Sequence, residues 1–595
     1  MRFAFRLLLL WSVLVLGMIG VSCDCGDDDD DDDDNDDASA DDDASPADDD
    51  DASPADDDDD DDDSGPPVVD CIPPLDYDGD GNAELLLSVW LTDYNLMRLH
   101  LVEPGTFTRG EPILEYDVTG GGASFQAADF DGNGVWDIVA VVEANDGGGS
   151  AGWYDVFLNG DFSAPAHTFG PYADTTAIAQ LLDIDGNGLP EMMIRIESDG
   201  KGTSAPAVWQ LIDADHDFSA IATFHTPESA PEGSLVFLPE RRVGAIWPVA
   251  GSVTGAGKAP ELMAYAYYTV STAHYLKLFV FNAADGALIV ESSPYYLGDA
   301  AANNYISSGD VDGDGQTEAV VGISKKIDDP ENHTAYLYIV GGPELMAEWS
   351  GPETDDAYAT GIIEGDYNLD GVLDPIVGLN SADGGDNAHQ ALNGPGGYST
   401  LFQYTDSNAA PLTLLTRTGR GYLDFGFNYR GVGNELFLSG REVDGTDTTG
   451  QVRAIETASG DITGVLQEFD LGDGGGFYGT VLDLGGDGTL DFVVRYTERY
   501  QNGADWATIV YFEVMTAPNF YEILHAQMPD GYEYYFDTTL DLTGDLAPDL
   551  LVMRRNETTY HEDYLLYPCD STGCDDPVSI DYEADEQFNF IGPML

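Results

Sequence analysis

Residues 305–324 read Y-I-S-S-G-D-V-D-G-D-G-Q-T-E-A-V-V-G-I-S. Asp310, Asp312 and Asp314 alternate with other residues, and Glu318 adds a fourth carboxylate a few positions on. Gly313 and Gly315 stand where a tight, oxygen-lined turn needs positive φ or a close backbone approach. The apolar run Ala319-Val320-Val321 follows at once and reads as a β-strand. Hard oxygen donors packed this densely suit Ca²⁺, which takes about 6–8 oxygens and tolerates irregular geometry.

The same pattern recurs along the chain. It is read at Asp76, Asp78, Asp80 and Glu84; at Asp129, Asp131, Asn133 and Asp137; and at Asp183, Asp185, Asn187 and Glu191. Further on it returns at Asp366, Asn368, Asp370 and Asp374, at Asp483, Asp487 and Asp491, and at Asp541, Thr543, Asp545 and Asp549. Two more copies keep the shape without the ligands. One runs from Ser252 to Glu261 with one inserted residue, and the other from Thr416 to Asp424. The starts at 76, 129, 183, 252, 310, 366, 416, 483 and 541 give a step of about 58 residues. A fixed long period is the mark of a repeat architecture. An EF-hand needs a bidentate Glu at its twelfth position. That position here is Leu87, Ala140, Ile194, Val321 and Val377, apolar each time, so the site is a β–loop–β one.

Between loops the chain reads as further short strands, such as residues 153–158 before the turn signal Asn159-Gly160, and residues 276–281. Four strands per period, with the loop between the first two, describe a propeller blade. The expectation is an all-β chain, a single β-propeller of about 7–9 four-stranded blades. The loops resemble FG-GAP/VCBS repeats, the units of integrin α-chain propellers and of many exported bacterial proteins, and the copy at 310–318 matches best. The resemblance covers about residues 70–570 and implies a propeller that binds calcium. About seven Ca²⁺ sites are expected, in the loops starting at 76, 129, 183, 310, 366, 483 and 541. In the loop whose first two ligands lack charge, Thr416 and Thr418, either Arg420 turns inward toward Asp424 in place of the ion, or it points to solvent and the loop has no ion.

The chain opens with Arg2 and Arg6 and then fifteen apolar residues, 7–21, too short to span a membrane and the length of a signal-peptide core. Ser22-Cys23 follows, which resembles a bacterial lipoprotein signal with Cys23 as the lipidated residue; an ordinary secretory signal cleaved nearby is the alternative. The chain therefore divides into a signal peptide (1–22), an Asp-rich tether (23–67), the propeller (68–570) and a closing segment or tail (571–595). Like charges as dense as those of 27–34 and 56–63 prevent collapse, so the tether stays solvated and extended.

The formal charge is −90, and 26 of the 111 acidic residues lie in 24–63. That leaves 85 acidic against 19 basic residues once Arg2 and Arg6 are set aside with the leader, a net of −66 for the folded part. Nucleic acid is excluded as a partner, since phosphate binding needs a basic footprint. Cysteines stand at 23, 25, 71, 569 and 574, and an exported compartment permits pairing. Either Cys71 bonds one of the last two and clasps the ends, or Cys569 and Cys574 pair locally. Residues 148–152 match G-x-S-x-G in letters but lie in a glycine-rich turn between strands, not in a strand-to-helix elbow. The histidines lack zinc-site spacing. No catalytic residue is assigned. The expected role is an outer-membrane or cell-surface lipoprotein, a monomer that touches membrane only through its lipid and binds an extracellular glycan or protein. A propeller-type polysaccharide lyase and a structural surface module without a ligand are the alternatives.

Overall fold

The structure is a computed structural model that describes residues 75–591 except for a set of turns and loop segments. Among the segments left out are 146–149, 312–313, 366–373, 382–397, 419–422, 425–434, 483–490 and 542–548. Cys23, Cys25, Cys71, the tether, Asp312, Asp366, Asn368, Asp370, Arg420, Asp483, Asp487, Thr543 and Asp545 therefore lie outside the described residues. Every element among the described residues is a β-strand, and none of them is a helix long and apolar enough to cross a membrane.

The second repeat shows how the sequence makes a sheet. Gly122–Ala128, Asp137–Asn145, Ser150–Phe157 and His167–Ala173 pair in chain order as an antiparallel meander. Ala128 lies opposite Asp137, so the acidic loop joins the first strand to the second. The run Ile138-Val139-Ala140-Val141-Val142 is apolar at every position because both faces of its strand are covered. Ile138, Ala140 and Val142 pack with Leu86, Leu99 and Leu114 of the preceding sheet. Val139 and Val141 pack with Leu181, Met192 and Ile194 of the following one. Burying one such aliphatic side chain contributes about 1.5–3 kcal/mol.

Among the described residues six further four-stranded sheets accompany it, five of them in chain order, and a ten-stranded sheet holds two further meanders. One of those spans Ser234–Leu238 to Tyr295–Gly298 and the other Asn304–Gly309 to Thr354–Asp355. A single parallel bridge, Gly298 to Lys326, joins them. Cores between neighbouring sheets continue along the chain: Met193 and Leu211 meet Ala264 and Phe281, and Leu276 and Val280 meet Ala319 and Val321.

The first sheet departs from chain order. Leu85–Leu91, Leu96–Glu103 and Thr108–Asp117 are consecutive, but the fourth strand is Glu586–Ile591, paired antiparallel to Leu85–Leu91 from Leu86↔Ile591 to Leu91↔Glu586. The loop at 76–84 therefore has its neighbouring strand from the far end of the chain. On its other face the same sheet packs Leu85, Leu87 and Val89 against Leu551, Tyr564 and Leu566 of the last sheet.

The copy at Thr416–Asp424 differs from the expectation. Thr416 and Thr418 belong to Leu412–Thr418, the outer strand of the sixth sheet, where Tyr398 pairs with Thr418. Leu423–Asp424 instead pairs with the strand Glu435–Asp444 of the next sheet. Thr416 and Thr418 are β-branched, which favours the extended strand they join. The G-x-S-x-G letters also resolve: Ser150 opens a strand of a hairpin, opposite Asn145.

Of the two cysteine pairings, the local one is present. Cys569 and Cys574 are bonded across a two-stranded hairpin. A loop this short gives about 2 kcal/mol on the chain-entropy scale. Cys574→Ser is expected to remove about that much, read as a lower denaturation midpoint with unchanged slope.

Candidate metal centres

Each described loop curls around its first carboxylate. Asp76 accepts from the Gly79 N–H through Oδ1 at 2.7 Å and from the Gly81 N–H through Oδ2 at 3.1 Å. Asp183 accepts from Gly186 at 2.7 Å and Gly188 at 2.9 Å, and Asp129 from Asn133 at 3.1 Å and Gly134 at 2.9 Å. In the fifth copy the Gly315 N–H donates to Asp310 Oδ2 at 2.9 Å. Gly79, Gly81, Gly132, Gly134, Gly186, Gly188 and Gly315 all have positive φ, which lets the amides point inward.

The last carboxylate ties the loop shut. It accepts the backbone N–H of the second loop residue, seven positions earlier, in four copies: Tyr77 to Glu84 at 3.2 Å, Phe130 to Asp137 at 3.0 Å, Ile184 to Glu191 at 2.5 Å and Val311 to Glu318 at 3.1 Å. The side chains of Tyr77, Phe130, Ile184 and Val311 are buried, so the second position plugs the core while its amide serves the site.

The fourth copy keeps the frame with its roles divided between neighbours. The Thr317 N–H donates to Ser252 O, as the Trp136 N–H does to Asp76 O, which makes Ser252 the first position. Thr254 N donates to Glu261 Oε2 at 2.7 Å, again spanning seven residues, while Val253 takes the buried position that Tyr77, Phe130, Ile184 and Val311 hold in the other copies. The Thr254 hydroxyl also donates to Glu261 Oε1 at 2.5 Å and satisfies the buried carboxylate without a cation.

Asp76, Asp78 and Glu84 present oxygens that all lie within 4.8 Å of one another, and so do Asp129, Asp131 and Asp137. Burial pushes the Glu84 carboxyl up to about 7, opposed by the Tyr77 amide and reinforced by Asp78, Asp80 and Asp76. Burial likewise lifts Asp137 to about 7 and Glu191 to about 8, with Asp131 and Asp129, and Asp185 and Asp183, adding repulsion. A cation among these oxygens relieves both penalties. In the fifth copy Asp310 Oδ1 is buried without a hydrogen-bond partner. The donor set is all oxygen and mostly anionic, which fits a hard divalent ion of calcium's size.

The remaining predicted ligands are placed in part. Asp80 caps the Asn82 N–H at 2.8 Å, Asp185 accepts from Asn187 N at 3.1 Å, and Asn187 accepts from Leu189 N at 2.7 Å. Asp314 accepts from the Gln316 N–H at 2.7 Å. Asp374 opens the strand Asp374–Ser381. Asp491, Asp541 and Asp549 are buried at their loop ends. Two contacts lie outside the nine-residue frame. The backbone N–H of Asn159 donates to Asp137 Oδ1 at 2.8 Å, and that of Cys569 donates to Asp549 Oδ1 at 2.9 Å. Their separations from the loop, 22 and 20 residues, leave no local signal in the sequence.

Residues 76–140 match the FG-GAP-like repeat family. No curated protein matches the chain. Among solved structures the chain is similar to prolyl oligopeptidase B from Galerina marginata bound to a 25-mer macrocyclization substrate, at 12% identity over 71% of this chain and 54% of that one, with a TM-score of 0.29. It thus spans about half the length of that protein. It is also similar to an α-L-arabinanase from Penicillium chrysogenum complexed with arabinobiose, at 11% identity over 54% of this chain and 97% of that one, with a TM-score of 0.24. A third is the polysaccharide lyase Uly1, at 10% identity over 64% of this chain and 88% of that one, with a TM-score of 0.27.

Proposed function

We propose that this chain is a calcium-stabilised β-propeller, closed into a ring of nine four-stranded blades, that works as an exported surface module binding a glycan or protein. The recurrence of one carboxylate-on-amide arrangement in the loops at 76, 129, 183 and 310 carries the reading. Closure is supported by the first sheet, which takes a strand from the end of the chain and packs on the last sheet. About seven ions are proposed, in the loops starting at 76, 129, 183, 310, 366, 483 and 541, with Kd on the order of 10⁻⁴–10⁻³ M as in extracellular modules. Binding falls to loops on one face, which a rigid scaffold positions and leaves free to vary.

A glycan array probed with the full mature chain in calcium is expected to show a narrow set of bound glycans, lost in EDTA. An array without signal, together with no capture of a surface protein, would remove the binding role. Cleavage of an arrayed polysaccharide would move the chain to the lyase reading.

Cys23 is proposed as the lipidated residue, with 24–67 as the spacer that carries the propeller away from the membrane. Forty extended residues reach at most roughly 130–140 Å. Cys23→Ser is expected to shift the protein from the membrane fraction to the soluble fraction, and unchanged fractionation would refute the anchor.

A further inference from the structure

In the second sheet Ile138 pairs with Phe157, so the chain leaves the third strand past Leu158 and reaches Asn159 beside the acidic loop. The same register places Pro104, Ala214, Ala283, Gly342 and Cys569 at the corresponding point of other sheets. None of these carries a side-chain oxygen. Among these six sheets, then, the second alone offers a side-chain oxygen there.

That carboxamide lies among the loop's own donors. Asn133 Nδ2 donates to Asn159 Oδ1, and Asn159 Nδ2 donates to Asp131 Oδ2 at 3.4 Å. The backbone N–H of the same residue holds Asp137 Oδ1 at 2.8 Å. Asn159 thereby touches the third, fifth and ninth positions of one loop, three of its four predicted ligands.

The hairpin cannot readily swing away. Asn159 has φ of +55° and Gly160 has φ of +70°, the left-handed pair that an Asn-Gly turn supplies. A Cβ on Gly160 would stand 2.4 Å from Asp78 O, so the turn is seated against the backbone of the first loop. The second loop, like the third with Asn187, carries less charge than the first and fifth. Its fifth position is the neutral Asn133 where the first and fifth copies have Asp80 and Asp314. Four side chains leave a calcium shell of about 6–8 oxygens short.

We infer that Asn159 Oδ1 is an additional oxygen donor to the calcium of the second loop, supplied from outside the repeat motif. The inference rests on the calcium reading of that loop, and its test separates the two. Asn159→Gly retains the positive φ and the amide that holds Asp137, and deletes only the carboxamide. Calcium binding to the full mature chain is followed by titration calorimetry and by equilibrium dialysis of ⁴⁵Ca²⁺. In parallel, Asp131→Asn disables the second loop independently.

Asn159→Gly is expected to weaken one site about tenfold, the lower end of what losing a supporting partner does to metal affinity. The other sites and the melting temperature in EDTA should stay unchanged, and the variant should have no further effect in the Asp131→Asn background. Wild-type titration with an unaltered Asn159→Gly curve overturns the inference and leaves the calcium reading standing. So does a loss of equal size in the Asp131→Asn background, or a lower melting temperature in EDTA with unchanged affinity. A wild-type chain that binds no calcium overturns both.

Discussion

Excess EDTA is expected to lower the melting temperature of the mature chain by about 3–10 °C relative to 1 mM Ca²⁺. The size follows from mass action. With Kd on the order of 10⁻⁴–10⁻³ M, each site adds roughly 0.4–1.4 kcal/mol at 1 mM ion. About seven sites then add roughly 3–10 kcal/mol, comparable with the whole stability of an ordinary domain. A folded region of about 500 residues loses on the order of 1 kcal/mol per degree at its midpoint, which sets the shift. The geometry supplies the cause: in the first and second loops three carboxylates crowd within 4.8 Å, and burial already works against the ionisation of Glu84 and Asp137. Calorimetric scans with and without chelator check the outcome, and superimposed scans would refute calcium as a stabilising ligand.

Deletion of residues 586–595 is expected to do more than lower stability; the chain should lose cooperative folding and aggregate. Among the described residues Glu586–Ile591 is the only partner on one edge of Leu85–Leu91, with six residue pairs in register. Leu85, Leu86, Leu87, Val89 and Leu91 are all buried, so the deletion exposes a flat apolar edge and opens the seam against Leu551 and Leu566. Exposed edges of this kind pair with other chains. Size-exclusion chromatography and a melting scan of the truncated chain test it. A monomer that melts cooperatively within about 2 °C of the full chain would show that the terminal strand is dispensable; a shift that small is about 2 kcal/mol at this size.

The acidic loops were legible because their chemistry is local. Asp310, Gly315 and Glu318 fall within one turn of chain, and a carboxylate needs only nearby amides to organise it. The apolar run after each loop was legible for the same reason, since a strand covered on both faces must be apolar at consecutive positions. Where local chemistry was missing, the frame misled. Thr416-Arg-Thr418-Gly keeps the spacing of a loop, yet its threonines continue an outer strand. The inserted residue of the fourth copy was visible as an extra count, but only the structure divides the second position's two roles between Val253, which is buried, and Thr254, whose amide serves Glu261.

The sequence by itself thus determined an all-β repeat, the loop frame and the kind of ion the loops suit. All of these follow from interactions spanning nine residues or fewer. The tertiary structure decided what depends on distant parts of the chain. The strand that completes the first sheet lies about 500 residues from its partner, and nothing local to either strand announces the pairing. The choice of Cys569–Cys574 over Cys71 turned on the two cysteines facing each other across a hairpin, which spacing alone leaves open. Asn159 read as half of a turn signal, and only the stacking of one hairpin on two loops made its carboxamide a neighbour of Asp131 and Asn133. Side chains separated by 20 or more residues meet through the register and packing of whole sheets, and no short stretch of sequence encodes that register alone.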